Sequence, residues 1–297
     1  PIMEAELLET ALRNIINHQT LIATKANRIT RAAQGRTVLE FGSRRAQGAD
    51  GAILGARAAY IGGCAGTACT ISDEVYGVYA GGTMAHSWVQ MFDSELDAFR
   101  AYCETYPDNA TLLVDTYNSL QSGVPNAIRA FNEVLRPLGI RKCGIRLDSG
   151  DMTYLTKKAR KMLDEAGWPE CEISVSNSLD EYLIQDLLRQ GAQIDMFGVG
   201  ERLITAKSEP VFGGVYKLVA VERESGEIVP KIKVSENVSK ITIPHFKKFY
   251  RFYDRTNGKA LADYLCLYDE TPDDTQPLTI FHPENTWKRK TLTNFRA

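Results

Sequence analysis

Hydrophobic and polar positions change character three times along this chain. From residue 1 to about 35, Leu8, Leu12, Ile15, Ile16 and Ile22 recur at helical spacing, which predicts a helix with one buried face. Short β-prone runs then alternate with amphipathic stretches. The runs are "TVLEF" (37–41), "YGVYAG" (76–81), "TLLVD" (111–115), "KCGIRL" (142–147), "CEISVS" (171–176) and "QIDMFGV" (193–199). Helical patterns fill 46–61, 94–106, 123–138, 153–166 and 179–189. Apolar strands without polar alternation, separated by amphipathic helices, predict parallel strands covered by helices. Six such units in about 165 residues suit a closed or nearly closed barrel better than the alternative, an open sheet.

After Glu209 the period becomes two. "GGVYKLVAVERESGEIVPKIKVSE" and "KKFYRFYDRTNGKALADYLCLYDE" carry turn signals at Ser225-Gly226 and Asn257-Gly258, which predicts an antiparallel segment over about 211–270. From Thr271 the composition reads as loop. The expected division is a barrel domain with the active site over 1–210 and a smaller antiparallel lobe with its tail over 211–297.

Composition narrows the class without choosing a chemistry. The 297 residues are 44% hydrophobic and 24% charged, with 35 basic against 37 acidic side chains. That balance argues against a nucleic-acid or membrane surface as the main partner, although a local basic pocket is compatible with it. No apolar run approaches the roughly 20 residues of a membrane span, and none has the pattern of a signal peptide. The six cysteines include no C-x-x-C pair and read as reduced thiols of a cytoplasmic protein.

Candidate chemistry sits where each predicted strand ends, as it does in barrels and doubly wound sheets. "GSRR" follows Phe41, and Arg44 could fork onto a carboxylate or phosphate. "GGTMAHSW" places His86, one of four histidines, among small residues. Asp115 closes an apolar run and either caps the next helix or orients a neighbour. In "IRLDSGD", alternation puts Arg146 and Asp148 on one face, and a buried charge needs a partner or a ligand. Ser176 and Asn177 stand at a helix start, either as a plain cap or as a seat for an anion. Gly198 and Gly200 would let backbone N–H groups approach a phosphate. Together these groups suit a ligand with a phosphate, a sugar diol and a second anionic part.

In this order, "EFGSRRAQG", "GTMAHSW", "LVDTYN", "PNAIRAF", "GIRLDSGD", "SNSLDEYLI", "FGVGERL" and "GGVYKLVAV" resemble nicotinate phosphoribosyltransferases, over about residues 3 to 270. The resemblance implies an α/β fold, an incomplete TIM-like barrel of the type II phosphoribosyltransferases with a second, smaller antiparallel-sheet lobe. It implies formation of nicotinate mononucleotide and diphosphate from nicotinate and phosphoribosyl pyrophosphate. ATP hydrolysis would be coupled through a phosphohistidine, here His86. Asp115 would hold the other ring nitrogen of His86, and Asp148 would take the ribose hydroxyls. Arg146 would face the base or a phosphate, Arg44 the pyridine carboxylate, and Thr67 the substrate. Ser176, Asn177, Gly198 and Gly200 would hold the 5′-phosphate. Mg²⁺ would enter with ATP and phosphoribosyl pyrophosphate, with no organic prosthetic group, and the chain would form a homodimer.

The base is read from Ala68. The related nicotinamide enzyme has an acid there, which suits an amide and repels a carboxylate. Ala68 and Cys69 also depart from the polar residues usual in the nicotinate family. The family's N-terminal segment, with an aromatic residue thought to cover the base, has no counterpart, so a fragment of a longer enzyme is expected. The alternatives are a nicotinamide-type enzyme, another barrel enzyme such as a metal-assisted aldolase, and an inactive fragment that only binds a ligand or partner.

Overall fold

The computed structural model describes residues 2–237 and 240–297. Contacts divide the chain into two compact units, Thr10–Gly214 and a smaller one joining residues up to Glu9 with Val215–Ala297. Helix α1 (Ile2–Ala32) supplies residues to both.

The larger unit then alternates strand and helix. In chain order it has β1 (Thr37–Glu40), α2 (Ala49–Ile61), β2 (Gly66–Thr67), α3 (Thr70–Tyr76), α4 (His86–Gln90), α5 (Glu95–Thr105) and β3 (Thr111–Leu113). There follow α6 (Val124–Ala130), β4 (Gly144–Leu147), α7 (Met152–Glu165), β5 (Glu172–Ser176), α8 (Glu181–Arg189), β6 (Met196–Val199) and α9 (Glu201–Ile204). The strands form one parallel sheet in the order β2-β1-β6-β5-β4-β3. Among the described residues no ladder joins the outer strands β2 and β3. The sheet curves enough that Thr37, Thr111, Ser174 and Met196, from four strands, line one interior cavity of about 210 Å³. Its outer face is covered by the helices, with Phe99, Phe131, Trp168 and Phe197 fully buried.

Two features of this unit differ from the sequence reading. "YGVYAG" is not a strand: Tyr76 closes α3, and only Ala80 bridges Thr67. The helix wins because Gly77, at φ 65°, forms a left-handed cap whose N–H reaches back to the Asp73 carbonyl. The apolar stripe of α1 is only partly covered. Ile22 is buried, whereas Leu8, Leu12, Ile15 and Ile16 are exposed. Periodicity identifies a stripe but does not say what packs on it.

The smaller unit is built from hairpins. They are β7 (Ala220–Glu222) with β8 (Ile228–Pro230), β9 (Lys247–Asp254) with β10 (Ala260–Leu267), and β11 (Leu278–Phe281) with β12 (Arg289–Leu292), while β13 (Phe295–Arg296) adds to β9. Gly226 and Gly258 sit at positive φ in the two turns marked by the sequence. Phe252, Leu292 and Phe295 form a small core. The tail read as loop therefore contains three short strands. Their β-prone residues, including the Thr279–Thr291 hydroxyl pair at 2.8 Å, are diluted by flanking Pro, Asp and Asn.

One close approach bears on the site. A Cβ on Gly123 would stand 1.8 Å from the Val114 carbonyl oxygen, on the backbone just before Asp115. Gly123→Ala is therefore expected to destabilise the larger unit by about 1–3 kcal/mol through overpacking, read as a lowered urea midpoint.

Candidate functional site

All ten residues singled out by the sequence lie in the larger unit, and eight of them line one cleft of about 520 Å³ at the carboxyl ends of the strands. Those eight are Arg44, His86, Arg146, Asp148, Ser176, Asn177, Gly198 and Gly200. Asp115 and Thr67 stand behind its wall.

His86 opens α4 after the small residues 81–85, and its side chain is 40% exposed. Its Nε2 lies 3.9 Å from Asp115 Oδ1 and 3.9 Å from Asp148 Oδ2. Its Nδ1 lies 3.1 Å from the hydroxyl of Thr116. Two carboxylates can only accept, so the ring proton belongs on Nε2 and the lone pair on Nδ1.

Asp115 is anchored from behind. Its Oδ2 accepts the Asp148 N–H at 2.9 Å and the Ser149 hydroxyl at 2.6 Å. Oδ1 is enclosed and has no hydrogen-bond partner among the described residues, and it is the Asp115 oxygen nearest His86. A buried acceptor left in that state is costly, so a modest turn of the imidazole that brings Nε2–H onto it is favourable.

Arg146 and Asp148 lie two positions apart at the end of β4 and share a face, as alternation requires. The Arg146 Nε donates to Ser176 Oγ at 3.0 Å, and Nη1 donates to Thr83 Oγ1. Nη2 lies 3.6 Å from Asp148 Oδ1, which also accepts the Ser176 hydroxyl. The guanidinium lies 5.8 Å from the centre of the Phe41 ring. The charge that packing could not explain is thus held by a network spanning three strand ends.

The two turns expected to suit an anion differ in their causes. Asn177 (φ 100°) and Ser178 (φ 46°) hold the left-handed region, uncommon for residues with a side chain. Asp180 then caps α8 through the Tyr182 and Leu183 N–H groups. At the other turn, a Cβ on Gly198 would stand 2.4 Å from the Phe41 ring, and one on Gly200 would stand 3.1 Å from the Phe41 carbonyl. These glycines are required by the packing of Phe41 as well as by access to the cleft.

Thr67 does not face the cleft. It is fully buried, and its hydroxyl donates to Glu40 Oε2 at 2.6 Å. Glu40 is also fully buried and accepts the Gly42 N–H. Burial pushes the Glu40 carboxyl above its ordinary range, and burial with the nearby Glu40 charge pushes the Cys64 thiol up to about 12. Sequence reading passed over Glu40, Thr83, Thr116 and Ser149. Glu40 alone carried a signal, as an acid inside the apolar run "TVLEF".

Fold and cleft together define a parallel α/β protein whose strand ends gather a histidine, two carboxylates, arginines and two anion-suited turns. Comparison with known proteins agrees. Residues 246–297 match the family model described as nicotinate phosphoribosyltransferase C-terminal domain. The nicotinate phosphoribosyltransferase of Bacillus subtilis is 49% identical over the whole chain, which covers 60% of that protein. The human nicotinate phosphoribosyltransferase is 31% identical over 95% of the chain and 62% of its own length. The crystal structure of human nicotinic acid phosphoribosyltransferase superposes with a TM-score of 0.80 at 28% identity, covering 99% of this chain and 65% of that one. The nicotinate-nucleotide pyrophosphorylase of Pyrococcus furiosus gives 0.67 at 25% identity, covering 97% and 66%. Over its whole length the chain is similar to nicotinate phosphoribosyltransferases, and it spans about 60% of the length of these curated relatives. Among the described residues no helix is long and apolar enough to cross a membrane.

The raised Glu40 pKa fixes a sign. Folding favours its protonated form, so its contribution to stability is greatest below the ordinary glutamate value and falls as pH rises towards its raised folded value. Glu40→Gln has no charge to bury. Its melting temperature relative to the parent is expected to shift in the variant's favour between about pH 5 and about pH 8, measured by thermal unfolding across that range.

Proposed function

We propose that this chain carries the transfer site of a nicotinate phosphoribosyltransferase of NAD salvage, joining nicotinate to phosphoribosyl pyrophosphate with release of diphosphate and coupled to ATP hydrolysis through His86. The observation that supports this best is a half-exposed His86 with Nε2 between two carboxylates, in one cleft with Arg44, Arg146 and the turns at Ser176–Ser178 and Gly198–Gly200. In the first step the Nδ1 lone pair attacks the γ-phosphorus of ATP. The N–P bond forms as the P–O bond to ADP breaks, and the Thr116 hydroxyl gives way. Asp115 and Asp148 balance the positive charge the ring then carries. In the transfer step the pyridine nitrogen bonds to the anomeric carbon as the C–O bond to diphosphate breaks. Asp148 takes the ribose hydroxyls and stabilises the positive charge that develops on the ring. Water then releases the phosphoryl group from His86 as inorganic phosphate.

Arg44 and Arg45 supply positive charge at the cleft, and Ala68 beside them contributes no acid, which favours a pyridine carboxylate over an amide. Among the described residues no three or more His, Cys, Asp or Glu side chains gather into a metal site. Mg²⁺ is read as part of the ATP and phosphoribosyl pyrophosphate substrates, with Asp148 and Glu201 the carboxylates that line the cleft. On the same reading the curved sheet is an incomplete barrel of the type II phosphoribosyltransferases, and the active form is a cytoplasmic homodimer sharing its sites.

The deciding experiment measures mononucleotide formation from nicotinate, nicotinamide and quinolinate in parallel, with and without ATP. Nicotinate is expected to be the accepted base, with ATP stimulation and acid-labile phosphate on His86. His86→Ala is expected to keep slow transfer without ATP stimulation; normal stimulation in that variant removes His86 from the coupling. Asp148→Ala is expected to lower turnover by about 10²-fold or more with a smaller change in nicotinate affinity. Unchanged turnover removes Asp148 from the site.

A further inference from the structure

We infer that Glu40 is a positioning residue that clamps two loops of the cleft, Gly42–Arg45 and Thr67–Cys69, and thereby sets where Arg44 meets its ligand. The inference rests on the nicotinate reading only for the identity of that ligand.

Glu40 is the last residue of β1 and is wholly enclosed. Among the described residues it has no ion-pair partner, so its carboxylate is compensated by hydrogen bonds alone. One oxygen accepts the N–H of Gly42, the first donor of the turn that carries Arg44 and Arg45. The other accepts the Thr67 hydroxyl at 2.6 Å, and Thr67 Oγ1 in turn accepts the Cys69 N–H at 3.0 Å. The Glu40 carbonyl takes the Ala68 N–H at 2.8 Å. One residue therefore grips both loops with side chain and main chain.

The grip is tight on the Gly42 side. A Cβ there would stand 2.5 Å from Ile204 Cβ and 2.7 Å from Glu40 Oε1, so the turn is wedged between α9 and the carboxylate. Beyond the clamp, Arg44, Arg45 and Ala68 all line the cleft. Packing alone would be met by an apolar residue, because Val38 and Leu39 precede Glu40 in a buried strand. A carboxylate kept there against desolvation is explained by the donors it holds.

The test uses Thr67→Val, which removes one arm at nearly constant volume, with Glu40→Ala and Glu40→Gln. Backbone hydrogen exchange is followed over 42–46 and 67–70, and nicotinate binding is measured by calorimetry. Thr67→Val is expected to speed exchange in both segments and to weaken nicotinate about fivefold to tenfold, the worth of one buried hydrogen bond. Glu40→Ala is expected to release 42–46 further, and Glu40→Gln to restore its protection by again accepting from Gly42. In an Arg44→Ala background the effect of Thr67→Val on binding is expected to vanish, since both act through one contact.

The inference is overturned if Thr67→Val loosens only 67–70, or if its binding loss adds in full to that of Arg44→Ala. Should Glu40→Ala fail to fold, Thr67→Val still decides. A parent chain that does not bind nicotinate sinks the nicotinate reading, while the exchange arm still judges the clamp.

Discussion

The cleft depends on one chain of charge-assisted hydrogen bonds: Arg146 to Ser176, Ser176 to Asp148, and the Asp148 backbone to Asp115. It ties together the ends of β4 and β5 and the residues just past β3. Two carboxylates this close repel each other, and both stand near His86. The repulsion is offset on one side by Arg146 and on the other by the Asp148 and Ser149 donors on Asp115. Such a network either satisfies every member or becomes a liability, because an unpaired charge in a low-dielectric site costs more than the pair contributes. The orphaned Asp115 oxygen is its enclosed open position among the described residues, and it is the Asp115 oxygen nearest the histidine.

Phe41 is the apolar counterpart of that network. Its ring lies under the Arg146 guanidinium and against Gly198, and its carbonyl crowds Gly200. Glycines that look like phosphate-approach signals are thus also constrained by an aromatic side chain five strands away in sequence but adjacent in the sheet, since β1 pairs with β6. The same substitution at Gly198 would close the cleft and displace the ring, so packing and access cannot be separated at this position.

The parallel sheet was legible because its strands are buried on both faces and read as short apolar runs between amphipathic helices. The cleft was legible because chemistry at the carboxyl ends of parallel strands can be located once the strands are. What escaped reading has a common physical cause. Thr83 and Thr116 act through single hydroxyls aimed at residues far away in sequence, and threonine is too common in strands and turns to stand out. Thr67 was assigned to the substrate from its loop, but side-chain direction at a strand end is set by the neighbour, here Glu40. "YGVYAG" misled because β-branched and aromatic residues also close a helix when a glycine follows to cap it. The short strands past Thr271 escaped because four-residue strands carry too few positions for a period to register.

On the proposed reading, His86 and Asp115 divide the work of the site by exposure. The imidazole is 40% exposed while the carboxylate behind it is 1% exposed. Orientation requires the reverse of reactivity: an anchor must be enclosed so that water cannot compete for its proton acceptor, whereas a group that meets a bulky anion must be reachable. Placing the histidine at the first turn of α4, after a run of small residues, gives it that reach. Placing Asp115 on the backbone just past β3, with Gly123 packed against the preceding carbonyl, gives the anchor its rigidity. The cleft then needs little rearrangement before a ligand arrives, because its acceptors are already aimed and only the ring has to turn.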